Sequence, residues 1–186
     1  MKTPRILRCL VVLLLSLAAC AALSARPVAA QQLNPPPLVG SSCHVTGSGT
    51  ICHGTSTSEF SASGVSCGAF QIVQSADVTT KATLFYSQDG NATQWVLHNT
   101  ETGTFANSVS GASVPFTGHF TETFTFVTPG DFSSVTITIT GQQDKVTLPG
   151  EGIVLHDAGR VVIAQGQIVF QSGPVSQEEQ LCPFLS

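Results

Sequence analysis

VPFTGHFTETFTFVTPGDFSSVTITIT, residues 114–140, alternates apolar and hydroxyl-bearing side chains on both sides of Pro129-Gly130. A period of two marks a strand with one buried face, and Pro-Gly between two such runs is a turn signal. A two-residue turn there sets residues whose numbers sum to 259 opposite each other: Thr123 with Thr136, Thr121 with Thr138, Phe124 with Val135, Phe120 with Ile139, and Glu122 with Ile137. Both strands then agree about their faces. Phe116, Phe120, Phe124, Phe126, Val135, Ile137 and Ile139 turn inward, and the threonines turn outward.

The same alternation, punctuated by Gly, Pro, Asn and Asp about every ten residues, continues from residue 68 onward without any stretch of eleven or more residues in helical periodicity. Strands are expected at 70–74, 78–86, 93–99, 104–109, 114–127, 133–140, 152–156, 160–164 and 167–171. Turn signals separate them at Gln88-Asp89-Gly90-Asn91, Glu101-Thr102-Gly103, Pro129-Gly130, Asp157-Ala158-Gly159 and Gln165-Gly166. Connections this short make antiparallel neighbours. The expected fold is all-β: an antiparallel meander of about nine strands closing into a β-barrel or a barrel-like sandwich, since an open sheet leaves long unpaired edges. Only the tail at 175–181 suits a helical turn.

Composition bounds the partners. The chain has 186 residues, 7 of them basic and 11 acidic. Lys2, Arg5, Arg8 and Arg26 precede residue 31, which leaves Lys81, Lys145 and Arg160 against all eleven carboxylates, a net charge of −8. A body this acidic is expected to repel phosphate backbones and anionic lipid, and with no basic cluster to release counterions it excludes nucleic acid as a partner. Residues 1–30 read as a secretory signal, with three positive charges ahead of a fifteen-residue apolar run at 9–23 that is too short to span a bilayer. Val28-Ala29-Ala30 then gives a mature start at Gln31 and a secreted product. Leu17-Ala18-Ala19-Cys20 resembles a lipobox, so a lipoprotein anchored through Cys20 is the alternative. Residues 31–42, with Pro35-Pro36-Pro37, form a stiff leader expected to carry little function. A clipped hairpin and linker at 43–66 follow, then the barrel domain at 67–186.

Cleavage after Ala30 leaves Cys43, Cys52, Cys67 and Cys182, an even number that suits two disulfides in an oxidising compartment. Residues 44–51 read as a hairpin turning at Gly47-Ser48-Gly49, which brings Cys43 to Cys52 and leaves Cys67 for Cys182. The Cys43-His44 and Cys52-His53 pairs do not make a metal site, because strand neighbours point to opposite faces and no ligand spacing accompanies them. No metal and no cofactor are expected.

Glu122 breaks the pattern as a carboxylate on the phenylalanine face, and such a group needs a partner or a raised pKa; it is the candidate ligand contact. A bulge near Gly118 or a place at the barrel mouth would instead put it in water. Gly64-Val65-Ser66-Cys67-Gly68 has the letters of a nucleophile elbow but no helix to follow it, and His156-Asp157 are neighbours at an expected hairpin end. His44, His53, His98, His119 and His156 sit on separate segments without ligand spacing, and Trp95 alternates with Leu97 as a core residue does. No catalytic residue is assigned.

Leu148-Pro149-Gly150-Glu151-Gly152, His156-Asp157-Ala158-Gly159-Arg160-Val161-Val162, Ile168-Val169-Phe170, the closing Leu181-Cys182 and the early Cys67-Gly68-Ala69-Phe70 resemble a group of small secreted bacterial β-proteins. The resemblance implies bacterial origin, export and a Cys67 to Cys182 bond, and it brings no activity with it. The expected function is that of a secreted, non-catalytic barrel that binds a small apolar ligand in its lumen or serves as a cell-envelope interaction module. A secreted enzyme with a His/carboxylate cleft is the alternative.

Overall fold

The structure, a computed structural model, describes residues 32–174 and 177–186. The signal and lipobox readings at 1–30 lie outside the described residues, as do Val175 and Ser176 of the tail. Eight strands run in chain order: β1 Ser42–Thr46, β2 Gly49–Ser66, β3 Gln71–Tyr86, β4 Ala92–Asn107, β5 Ser113–Phe126, β6 Val135–Leu148, β7 Gly152–Ala164 and β8 Gln167–Ser172. Each pairs antiparallel with the next in one sheet, so the all-β meander is as expected.

Closure is not. β1 and β8 are the two edges and do not pair with each other, which overturns the closed barrel. The strand count differs from about nine for a physical reason. Candidates 70–74 and 78–86 are one strand, as are 93–99 with 104–109 and 152–156 with 160–164, while β1 and β2 add two. Glu101-Thr102-Gly103 and Asp157-Ala158-Gly159 are therefore paired strand rather than turns. At Gly159, with φ 136°, a side chain would collide with the backbone of Ser172 and Gly173, so glycine permits close contact of β7 and β8.

The 114–140 hairpin also pairs differently in detail. Thr121 faces Thr140, Thr123 faces Thr138, Phe124 faces Ile137, and Glu122 faces Ile139 instead of Ile137. Pro129-Gly130 is not a two-residue turn, because Asp131 caps a 3-10 turn at Phe132–Ser134, accepting from the Ser133 amide at 2.8 Å and the Ser133 hydroxyl at 2.7 Å. The extra residues displace the register by two. Parity survives such a displacement, so Phe116 and Phe126 are buried as expected while Thr125 and Thr140 are exposed.

Two apolar clusters fill the inner face. One gathers Ile72, Phe105, Phe116, Val146 and Leu155 with Leu181 and Leu185 from the C-terminus, and the other gathers Cys52, Ala82, Leu84, Tyr86, Ala92 and Phe126. The C-terminal segment, a 3-10 turn at Glu178–Leu181 and the single-turn helix α1 at Cys182–Leu185, touches β2, β5 and β7. It is bonded to the end of β2 through Cys67–Cys182, with Cα atoms 5.6 Å apart, while Cys43 and Cys52 face each other across β1 and β2 and form the second disulfide.

Candidate functional site

Even-numbered residues of β3 and β5 and odd-numbered residues of β4 face inward, and between the two apolar clusters this alternation sets polar side chains side by side. Asn99 is only 6% exposed. Its carbonyl oxygen accepts from the Thr80 hydroxyl at 2.7 Å, and its amide nitrogen donates to Glu122 Oε2 at 3.0 Å. The partner that a carboxylate on the phenylalanine face requires is therefore a buried amide held in turn by a threonine. Glu122 itself is half-buried and lies directly across from Leu97 of β4.

An apolar pocket borders this network. Pro36 and Leu38 of the leader, Leu84 of β3, and Trp95 and Leu97 of β4 enclose about 190 Å³, with Ser56 and Thr80 also in the lining. Thr80 thus belongs both to the pocket and to the chain of hydrogen bonds that ends at Glu122. The leader, expected to be functionally idle, is a wall of the site. It is held there by backbone bonds from Asn34 to Gly90 and from Ala92 to Asn34, both 2.8 Å, and by Leu33 and Leu38 packing on the second apolar cluster. Two leucines within a proline-rich leader were the sequence signal for this docking. Trp95 is fixed edge-on against Phe126 and Phe132, with ring centroids 5.6 and 5.4 Å away, and its buried indole N–H has the buried Tyr86 hydroxyl as its polar neighbour.

Toward the C-terminal cluster the polar belt becomes acidic. Asp144 and Asp157 face each other across β6 and β7, and Gln74 donates to Asp144 at 3.3 Å. Burial, then the charges of Glu101, Asp157 and Glu178, push the Asp144 carboxyl up to about 7. Glu101 is raised by burial and by Glu122, Asp157 by burial against the opposing pull of His156, and Glu178 by burial against the Val65 amide that it accepts from. A carboxyl whose folded pKa lies above its unfolded value of 3.8 takes up a proton on folding between those two values. Its cost is complete above pH 7 and fades as the pH falls toward 4. Asp144→Asn is expected to stabilise the protein at pH 8 by about 1–2 kcal/mol, after allowance for the solvent still reaching the group, and by nearly nothing at pH 4. Urea midpoints at the two pH values check this; an equal effect at both would refute the assignment.

The remaining sequence features stay apart. Ser66 ends β2 and is followed by the turn at 67–70 and then β3, not by a helix. His156 and Asp157 lie inside β7 rather than at a hairpin end. Among the described residues no group of three or more His, Cys, Asp or Glu is placed to hold a metal ion, and no helix is long and apolar enough to cross a membrane. The fold and site define a disulfide-bonded antiparallel sheet with an apolar pocket beside a buried polar network. Comparison with family models, with curated proteins and with solved structures finds no match.

Proposed function

We propose that the protein binds a small, largely apolar ligand in the pocket between the leader and the sheet, with Ser56 and Thr80 as its polar lining and with Asn99 and Glu122 behind Thr80, outside the lining. The observation that carries this reading is the 190 Å³ enclosure by Pro36, Leu38, Leu84, Trp95 and Leu97. Apolar cavities of about 150 Å³ hold benzene in other proteins, so a single-ring ligand matches the size. The pocket lies between leader and sheet, so ligand access is controlled by how tightly Leu38 packs. Export to an oxidising compartment completes the reading and is supported by the two disulfides; a purified product whose mass still begins at Met1 would argue against it.

Trp95 is the one tryptophan of the chain and part of the pocket wall, so its fluorescence reports occupancy directly. Titration with indole-free aromatic probes such as toluene and phenol is expected to quench Trp95 saturably. Ser56→Phe, which fills the pocket from β2, is expected to weaken that response at least tenfold. Unsaturable quenching, or equal quenching in the variant, would exclude the pocket as the binding site.

A second reading, an interaction module of the envelope, rests on β8. Its six residues carry no charge, no strand among the described residues pairs with its outer edge, and Ile168, Val169 and Phe170 are each about half exposed or more. Natural edges are usually guarded by charge or proline, and this one has neither.

A further inference from the structure

We propose a second binding site, on the outer face of the sheet, for the oxyanion of a phosphate ester. It is separate from the apolar pocket and independent of that reading. Outward-facing residues of β2, β3 and β4 form a cleft of about 510 Å³ lined by Gly40, His53, Gly54, Thr55, Lys81, Ala82, Thr83 and His98. The cleft contains a lysine, two imidazoles and two threonine hydroxyls, and its lining includes no carboxylate. In a body that carries three basic residues against eleven acidic ones, that concentration of donors is contrary to the average field.

The donors are placed by strand register. Lys81 is directly opposite His98 on β4 and opposite Thr55 on β2, while His53 sits one diagonal step away, opposite Thr83. Side chains related in this way on one face are within about 5 to 8 Å at Cβ, so all three can converge on one group. Each imidazole is oriented through its Nδ1, His53 against the Thr83 hydroxyl at 3.2 Å and His98 against the Thr121 hydroxyl at 2.9 Å. That leaves both Nε2 atoms for a ligand. His44 stacks on His53 with ring centroids 5.9 Å apart and restrains it further. Among the described residues Lys81 makes no ion pair, and the outward carboxylates nearest along its own strands, Glu59 and Asp77, are four residues further on.

The fold does not need this arrangement. A lysine facing a histidine across a strand pair adds nothing to sheet stability and opposes it whenever the imidazole is charged, whereas a carboxylate at either position would stabilise the pair. An ammonium flanked by two oriented ring nitrogens and by hydroxyls matches the several acceptor oxygens of a tetrahedral phosphate. The shallow, open form of the cleft suits a phosphate carried on a larger molecule, either a soluble ester or a lipid headgroup.

The test is a nitrogen-15 resolved NMR titration of the disulfide-bonded protein with sodium phosphate, at ionic strength held constant with chloride. Saturable shifts centred on His53, Lys81 and His98 are expected, with Lys81→Gln weakening binding at least tenfold and His98→Asn at least threefold. Both positions are exposed, so matching melting curves confirm that the variants are folded. Glucose 6-phosphate and vesicles containing phosphatidylglycerol separate the two sources: tighter binding of the first identifies a soluble ester, and Lys81-dependent cosedimentation with the second identifies a headgroup. The site does not exist if chloride alone produces the same shifts, or if Lys81→Gln binds phosphate as the unaltered protein does.

Discussion

Replacing Cys67 and Cys182 by alanine is expected to lower stability by about 4–5 kcal/mol and the melting temperature by about 10 to 15 °C. The bond joins residues separated by 115 positions, and closing so long a loop removes a large share of the unfolded chain's freedom. Its folded-state role points the same way. Cys182 begins α1, between Leu181 and Leu185, both fully buried, and Asn107 donates to the Leu185 carbonyl at 2.8 Å. Without the bond, the C-terminal segment that touches β2, β5 and β7 is retained only by packing and by hydrogen bonds such as those of Leu185 with Asn107 and of Glu178 with Val65. Cys43 and Cys52 are the internal comparison: separated by 9 positions on an already paired hairpin, their replacement is expected to cost about 2–3 kcal/mol in the same account. Calorimetry of the two double variants checks both values, with an intact mass two hydrogens below the reduced chain for each variant, and four below for the unaltered protein, as the control for complete oxidation. A Cys67/Cys182 variant that melts no lower than the Cys43/Cys52 variant would refute the loop-closure account.

The all-β class and the disulfide pairing were legible because both depend on local pattern. Alternation over a few residues identifies a strand, and a Gly47-Ser48 turn places Cys43 against Cys52 without knowledge of the rest of the chain. Faces were legible for a related reason. The hairpin register was displaced by two positions by the Phe132–Ser134 turn, and an even displacement moves no residue to the other side of the sheet. Glu122 was accordingly recognised as an inward carboxylate, although Asn99, which lies 23 residues away in the chain and satisfies it, carries no pattern of its own. Long-range contact is what the sequence conceals. The pocket depends on Leu38 meeting Leu97, and the oxyanion cleft on His53, Lys81 and His98 meeting across three strands; neither follows from spacing. Closure failed as an expectation because each strand pairs only with its neighbours in the chain, which leaves β1 and β8 as two separate edges, and β8 stands there without the charge or proline that the expectation assumed an open edge must have.

Gly103→Ala is expected to destabilise the protein by about 3–5 kcal/mol or to prevent folding, although the sequence places this glycine in a turn where the same change costs about 1 kcal/mol or less. Gly103 lies within β4, paired with Ala76 of β3 and Phe116 of β5. A methyl group there would meet the Ser75 carbonyl oxygen, the Ala76 Cα and the Phe116 ring, and two of those three are backbone that cannot move without shifting β3. Its backbone has no left-handed conformation to protect, so the missing side chain, and not turn geometry, is what the position requires. The consequence extends to the core, because Phe116 packs on Phe105 with ring centroids 4.7 Å apart and both are almost fully buried. Displacing that ring disrupts the first apolar cluster at its centre. Thr102→Ala, one residue away and exposed on the outer face, is expected to change stability by less than about 0.5 kcal/mol. Urea unfolding of the two variants separates the alternatives: a Gly103→Ala midpoint close to that of Thr102→Ala would mean that β3 and β4 do not approach as closely as the pairing requires, and that residues 101–103 behave as the turn their composition suggests.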